Sequence, residues 1–273
     1  METLGILAGI GHLPVDVAQS AKKLGYRVVA IAVVPETDPE LQSNADVFYT
    51  INVGKLGKIL QTLKKHDVIN VTMIGKVTKE VLYKNGAIIP DLTTIRLLAS
   101  LPDRKDDTIM NALVKLVEDT GMHVMDQTEL IRPLLPEPGV LTKRKPTEQE
   151  WEDMRFGFRM AKELGRLDIG QTVVVKNRAV MALEAIEGTD ACILRGGFLG
   201  KGGVIVAKTA KPVQDKRFDI PSVGTTTLTS MIHAGATGIV IEAGRTLLVD
   251  RKRTLAMAEE KNITIVSMVE GDL

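Results

Sequence analysis

Cysteine is all but missing: Cys192 stands alone in a chain of 273 residues. A single thiol excludes an internal disulfide framework and any multi-cysteine metal site, and it suits a reducing compartment. Cys192 itself reads as a small buried hydrophobe before it reads as a nucleophile. Aromatic residues make up 3% of the chain, too few to offer a platform for stacking nucleobases. Charge of one sign is also lacking, since 35 basic and 34 acidic residues nearly cancel. Without a basic field there is no counterion release to drive nucleic-acid binding, and none is expected. The four histidines, at 12, 66, 123 and 233, show no metal-ligand spacing. No apolar run approaches the ~18 residues that span a bilayer. Glu2 precedes "LGILAG", so the basic start of a secretory leader is missing as well, and a cytoplasmic chain is expected.

What is present is alternation. "LGILAG" (4 to 9), "RVVAIAVV" (27 to 34), "DVFYTI" (46 to 51), "NVTMIG" (70 to 75) and "MHVMD" (122 to 126) are short β-branched runs that predict strands. Between the first two, Val17, Ala21 and Leu24 fall on one helical face, and Gly25 supplies a left-handed stop. Leu56, Ile59, Leu60 and Leu63 repeat the device. Strands joined by helical crossovers predict a Rossmann-like α/β domain with a parallel sheet over 1–131. Residues 132–146, "RPLLPEPGVLTKRKP", carry four prolines and no periodicity, which predicts a linker. Thr147 and Glu150 then form a capping-box pattern ahead of Trp151, Met154, Phe158 and Ala161, with Gly165 expected to close that helix. "QTVVVK" and "AVMALEAI" predict a hairpin about Asn177 and Arg178, and "GGVIVAK", "TGIVIEAG" and "ITIVSMV" predict further strands. A second α/β domain with a mixed sheet is thus expected over 147–273, the active site lying between the two.

Several stretches can carry chemistry, and each has a plainer reading. Gly9 and Gly11 follow the first strand where a helix begins, so their backbone can cradle a phosphate or a sugar. The dinucleotide fingerprint would need a third glycine where Pro14 stands, and a tight strand-to-helix turn explains the two glycines equally well. Glu184 shares a strand face with Val180, Ala182 and Ile186 if "AVMALEAI" alternates, and a carboxylate there needs a cation, a metal or donors; an edge strand open to solvent would remove that need. In "EGTD", Thr189 is placed to cap a helix, while Glu187 and Asp190 complete an acidic cluster with Glu184. Asp106 and Asp107 open a helix, where acids are favoured by the dipole alone. "AKPVQDKRFDIPSVG" (210 to 224) mixes both signs of charge. With Lys208 just before it, this stretch suits either a solvated loop or a phosphate-bearing substrate with a divalent cation.

Taken together, "GILAGIGHLP", "LGRLDIGQ", "EAIEGTD", "AKPVQDKRFDIPSVG" and "IEAGR", in this order, closely resemble the UDP-2,3-diacylglucosamine pyrophosphatases of the LpxI type. The resemblance runs over essentially the whole chain. It implies a two-domain, metal-dependent hydrolase of lipid A synthesis that splits UDP-2,3-diacylglucosamine into UMP and 2,3-diacylglucosamine 1-phosphate (lipid X), using Mg2+ or another divalent cation such as Mn2+. The partners expected are a lipid-linked sugar nucleotide and, in transient contact, the inner-membrane surface of a bacterium with an outer membrane, while the sequence leaves open whether the chain forms a homodimer.

Carried over by position, the family's essential aspartate falls on Asp219, implied to bind the metal or orient the attacking water. Glu184 and Glu187 match the family's "EAxEGTD" segment, and one or the other is expected to give a second metal contact or the base. Thr189 and Asp190 match the same "EGTD" segment. Lys211, Gln214 and Arg217 match basic and amide positions that face phosphate, with Lys208 beside them. Gly9, Gly11 and Leu13 match the turn of the first domain. Two rival readings remain at this point: a nicotinamide-dependent oxidoreductase, suggested by "GILAGIG", and a non-catalytic binder of lipid or sugar nucleotide.

Overall fold

The computed structural model describes residues 1–77, 90–103, 106–212, 217 and 220–272. The chain divides into two compact units, Met1–Ile131 with Lys216–Phe218, and Arg132–Asp215 with Asp219–Leu273.

In the first unit the described elements run β1 (Thr3–Ala8), α1 (Leu13–Lys23), β2 (Arg27–Ala32), α2 (Glu40–Asn44), β3 (Val47–Thr50) and α3 (Leu56–Lys65). They continue with β4 (Asn70–Ile74), α4 (Leu92–Ser100), α5 (Asp106–Glu118), β5 (His123–Val124) and α6 (Gln127–Ile131). The five strands form one parallel sheet in the order β3-β2-β1-β4-β5. Strand β2 is almost wholly buried because helices cover both faces of such a sheet, which is why it reads as a continuous apolar run. Helix α1 stops where the sequence predicts. Gly25 takes φ +89°, its N–H donates to the Lys22 carbonyl, and the Tyr26 N–H donates to that of Ala21. This is the Schellman closure.

The second unit contains β6 (Gly139–Val140), α7 (Glu148–Arg166), β7 (Thr172–Lys176), β8 (Ala179–Leu183), α8 (Thr189–Gly200) and β9 (Val204–Lys208). After these come β10 (Ser222–Val223), α9 (Thr225–His233), β11 (Ala236–Glu242), β12 (Leu247–Leu248), α10 (Arg251–Glu260) and β13 (Thr264–Met268). Six strands make a mixed sheet, β6-β13-β11-β9-β7-β8, and β10 pairs with β12 separately. Side chains alternate faces along each strand. Val173, Val175, Ile205, Ala207 and Val240 pack with Met154, Phe158 and Ala161 of α7. Val174, Val206, Ile239 and Ile241 point the other way, into a core with Ile193, Leu228 and Ala258 from α8, α9 and α10. The unit is therefore a three-layer α/β/α stack.

Local readings of the sequence can be followed residue by residue. The capping box is complete: Thr147 Oγ1 accepts from the Glu150 N–H and Glu150 accepts from the Thr147 N–H. Helix α7 nevertheless runs one residue beyond Gly165, and Asp168 takes the left-handed turn at φ +55°. Gly165 lies instead against the backbone of Lys211. The hairpin turns on Asn177 and Arg178, both at positive φ, and the Asp153 carboxylate accepts both of their N–H groups at 2.9 and 2.6 Å. Residues 132–146, read from the sequence as a linker, contribute β6 at the sheet edge, antiparallel to β13. Arg144 also makes a two-pronged ion pair with Glu150 there, both contacts at 2.9 Å.

Candidate active site

A buried polar cluster forms where β7 begins beside the end of β9. The strands are antiparallel, and their register sets Thr172 opposite Lys208. Just before β7, Gly170 lies so close to Glu184 that a Cβ there would sit 2.2 Å from the Glu184 carbonyl oxygen. Only glycine allows that approach. The Glu184 N–H in turn donates to the Thr172 carbonyl at 2.9 Å, which fixes the residue immediately after β8.

Glu184 is buried, 8% exposed, but not for the reason its sequence suggests. Strand β8 ends at Leu183, and Val180 and Ile186 face solvent at 38% and 105% exposure, so of the expected apolar face only Ala182 is buried. What encloses the carboxylate is polar. Thr189 Oγ1 donates to Glu184 Oε1 at 2.9 Å, and the Gln171 N–H donates to Oε2 at 3.3 Å. Lys208, 6% exposed, donates from Nζ to Thr189 Oγ1 at 3.2 Å, with Thr172 Oγ1 3.4 Å from the same hydroxyl. Thr189 is thus not the cap of α8. Gly188, at φ +81°, holds the N-cap position, and the threonine hydroxyl is turned to the carboxylate and the ammonium.

The other acids of "EGTD" go elsewhere. Glu187 pairs with Arg195 of α8. Its own backbone N–H and the Arg195 guanidinium hold its carboxyl below the usual range. Asp190 accepts from Ser230 Oγ of α9 at 2.9 Å and so ties two helices together. Cys192 is fully buried, and burial pushes its thiol up to about 12, which removes it as a nucleophile.

Past Lys208 the chain continues through Thr209 and Ala210 to Lys211, whose Nζ donates to Asp168 Oδ1 at 2.7 Å. Arg217 is grouped with the first unit, where its guanidinium donates to Asn111 Oδ1 at 3.4 Å. Gln214 and Asp219 lie outside the described residues, as do the side chains of Asp106 and Asp107. Two residues of the "IEAGR" motif, to which the sequence assigns no role, stand next to this segment. Glu242 is 6% exposed at the end of β11 and accepts from Lys162 Nζ at 2.8 Å, and Arg245 follows it. The available signal was a carboxylate closing the otherwise apolar strand "TGIVIE".

In the first unit Gly9 serves the protein's own backbone. A Cβ there would meet the Lys76 carbonyl oxygen at 2.5 Å, and the Gly9 N–H donates to the Ile74 carbonyl at 2.8 Å. Gly11, at φ +102°, borders open space, and Leu13 is the first residue of α1. His12 between them contacts Asp38 at 2.8 Å and Asp16 at 3.9 Å. Among the described residues no group of three His, Cys, Asp or Glu is placed to hold a metal, and no helix is long and apolar enough to cross a membrane.

Comparison with known proteins decides the family. Residues 3–134 match the LpxI N-terminal domain and residues 137–266 match the LpxI C-terminal domain. The chain belongs to the LpxI family. Its similarity to the UDP-2,3-diacylglucosamine pyrophosphatase LpxI of Caulobacter vibrioides is 32% identity over 98% of both chains. A weaker likeness, 28% identity over 79% of this chain and 40% of the other, links it to the bifunctional purine biosynthesis protein PurH of Sinorhizobium medicae. The biotin carboxylase domain of a thermophilic 2-oxoglutarate carboxylase aligns with 64% of this chain and 34% of its own at a TM-score of 0.27 and 16% identity, too low to bear on the LpxI assignment.

Proposed function

We propose that the protein hydrolyses the pyrophosphate bond of UDP-2,3-diacylglucosamine, giving UMP and 2,3-diacylglucosamine 1-phosphate for lipid A synthesis. The observation that carries this reading is end-to-end similarity to the Caulobacter vibrioides pyrophosphatase, which includes the segments that build the Glu184, Thr189 and Lys208 cluster. The parallel order β3-β2-β1-β4-β5 supports a Rossmann-like reading of the first unit.

In the reaction a water oxygen forms a bond to one phosphorus, the bridging P–O bond breaks, and the second phosphate leaves in line with the water. The substrate carries a negative charge on each phosphate, which repels an incoming nucleophile. Lys208, the last residue of β9, and Lys211, three residues beyond it, are assigned to those oxygens, with Arg217 and Gln214 as further phosphate contacts. Glu184 is assigned to the water, because its carboxylate is oriented by Thr189 and the Gln171 N–H. We prefer it to Glu187 because the Glu187 carboxylate is paired with Arg195 of α8, whereas Thr189 joins Glu184 to Lys208. Asp219 is assigned with it to the metal or the water.

The oxygens at this place suit a hard cation such as Mg2+ or Mn2+. Glu184 provides a carboxylate, and the neighbouring Gln171 has a buried Oε1 with no hydrogen-bond partner among the described residues. Glu184, Gln171 and Asp219 would hold the ion, which offsets charge on the pyrophosphate and acidifies water. In the first unit, Asp16 and Asp38 beside His12 make the turn after β1 better suited to ligand hydroxyl or N–H donors than to phosphate. We therefore assign Gly11 and Leu13 to the sugar or base of the nucleotide. The acyl chains call for contact with the membrane surface.

The test is UMP release from UDP-2,3-diacylglucosamine by the wild type, with and without chelator, and by Asp219→Ala. Loss of turnover by at least about 100-fold in the chelated enzyme and in the variant is expected. Near-normal turnover by folded Asp219→Ala removes that residue from the reaction.

A further inference from the structure

Glu242 ends β11 beside the exit of β9, because the parallel register sets Ile241 next to Lys208. Its carboxylate is nearly excluded from water and receives three donors: Lys162 Nζ at 2.8 Å, the Ala210 N–H at 2.9 Å and Arg245 Nη1 at 3.3 Å. Arg245 uses its other terminal nitrogen differently, donating from Nη2 to the Lys211 carbonyl at 2.9 Å. The backbone brings Arg245 back to this point, since the Thr246 N–H donates to the Glu242 carbonyl at 3.0 Å and Gly244 turns at φ +66°. Lys211 is thereby held at both ends, its carbonyl by Arg245 and its ammonium by Asp168 at 2.7 Å.

Buried ion pairs are poor sources of stability, since desolvation offsets most of their attraction and an apolar replacement is often as good. What this one does do is fix geometry. It anchors the backbone of two successive residues, at the Ala210 N–H and the Lys211 carbonyl, at the start of the segment that leads to Asp219. We infer that Arg245, oriented by Glu242, is a positioning residue that holds Lys211 against the substrate's phosphates. This rests on the proposed hydrolysis and adds to it a pair of residues that touch no substrate. Arg245 acts through Lys211, so its effect should vanish when the Lys211 side chain is gone.

The experiment is a double-mutant cycle on the full-length protein, with kcat and KM for UDP-2,3-diacylglucosamine measured for wild type, Arg245→Ala, Lys211→Ala and the double variant. Arg245 is 40% exposed, so Arg245→Ala should fold, which a Tm near that of the wild type checks. Expected is a fall in kcat/KM of roughly 10- to 100-fold for Arg245→Ala, and of less than about twofold when the same change is made in Lys211→Ala. Glu242→Gln, which keeps an acceptor for the Ala210 N–H, should fall between wild type and Arg245→Ala. A parallel arm reads hydrogen exchange of a peptide covering 204–212, which should quicken in Arg245→Ala.

Equal losses in both backgrounds overturn the inference, since a merely structural arginine is indifferent to the Lys211 side chain. So does wild-type kcat/KM in Arg245→Ala. If the wild type itself releases no UMP, the proposed reaction fails, and the exchange arm decides the clamp alone: quickened exchange supports it and unchanged exchange refutes it.

Discussion

Thr189 Oγ1 donates to Glu184 Oε1 at 2.9 Å while accepting from Lys208 Nζ at 3.2 Å, so one hydroxyl joins a buried carboxylate to a buried ammonium. The hydroxyl orients the carboxylate and keeps the two charges from meeting directly. Replacing Thr189 with valine keeps the shape and removes both bonds. Steady-state kinetics should show kcat lowered at least about tenfold, equivalent to ~1.4 kcal/mol of barrier, with Thr189→Ser close to wild type. Equal kcat in wild type and Thr189→Val would detach the hydroxyl from the reaction.

Gly170 makes that arrangement possible. A methyl group there would have to share space with the Glu184 carbonyl, so Gly170→Ala must push the Glu184 backbone outward. A loss of a few kcal/mol is expected, read as a lower Tm, together with reduced turnover. An unchanged Tm would mean that this contact relaxes freely.

Cys192 should be chemically silent. With the thiol enclosed and its ionisation pushed up to about 12, almost no thiolate exists at pH 8. A colorimetric thiol reagent should find no reactive group in the native protein and one equivalent after denaturation. Rapid native labelling contradicts this.

Glu150 couples stability to acid. Burial opposes its charge, but the Arg144 guanidinium and the Thr147 N–H outweigh that and bring its pKa down from 4.5 to about 2. The unfolded chain therefore binds a proton before the folded one does. The contribution, on the order of 2 kcal/mol after allowance for partial exposure, is complete above pH 4.5 and disappears as pH falls toward 2. Denaturant titrations at pH 6, 4 and 2.5 should show the gap between wild type and Glu150→Gln closing as the pH drops. A gap that stays constant is the contrary result.

Local devices were legible in the sequence because they are chemistry of neighbours. The capping box of Thr147 and Glu150 and the closure at Gly25 each depend on residues within one or two turns of chain, and the two-residue spacing showed the turn at Asn177 and Arg178 but not the Asp153 carboxylate that holds it from α7. The surroundings of Glu184 were not legible. Strand alternation assigned it apolar neighbours, whereas the strand stops one residue earlier and Thr189, Gln171 and Lys208 arrive from three other segments. Gly9 looked like room for a ligand and is room for the Lys76 backbone, a contact that only the pairing of β1 with β4 reveals. The "IEAGR" motif was visible, but the roles of Glu242 and Arg245 were not, since their partners at Lys162, Ala210 and Lys211 are distant in sequence.

The most direct measurement is the identity of the products formed from UDP-2,3-diacylglucosamine by the purified protein with Mg2+, read by mass spectrometry. Equal amounts of UMP and 2,3-diacylglucosamine 1-phosphate are expected. UDP with free diacylglucosamine, or intact substrate across a range of divalent ions, would contradict cleavage at the pyrophosphate.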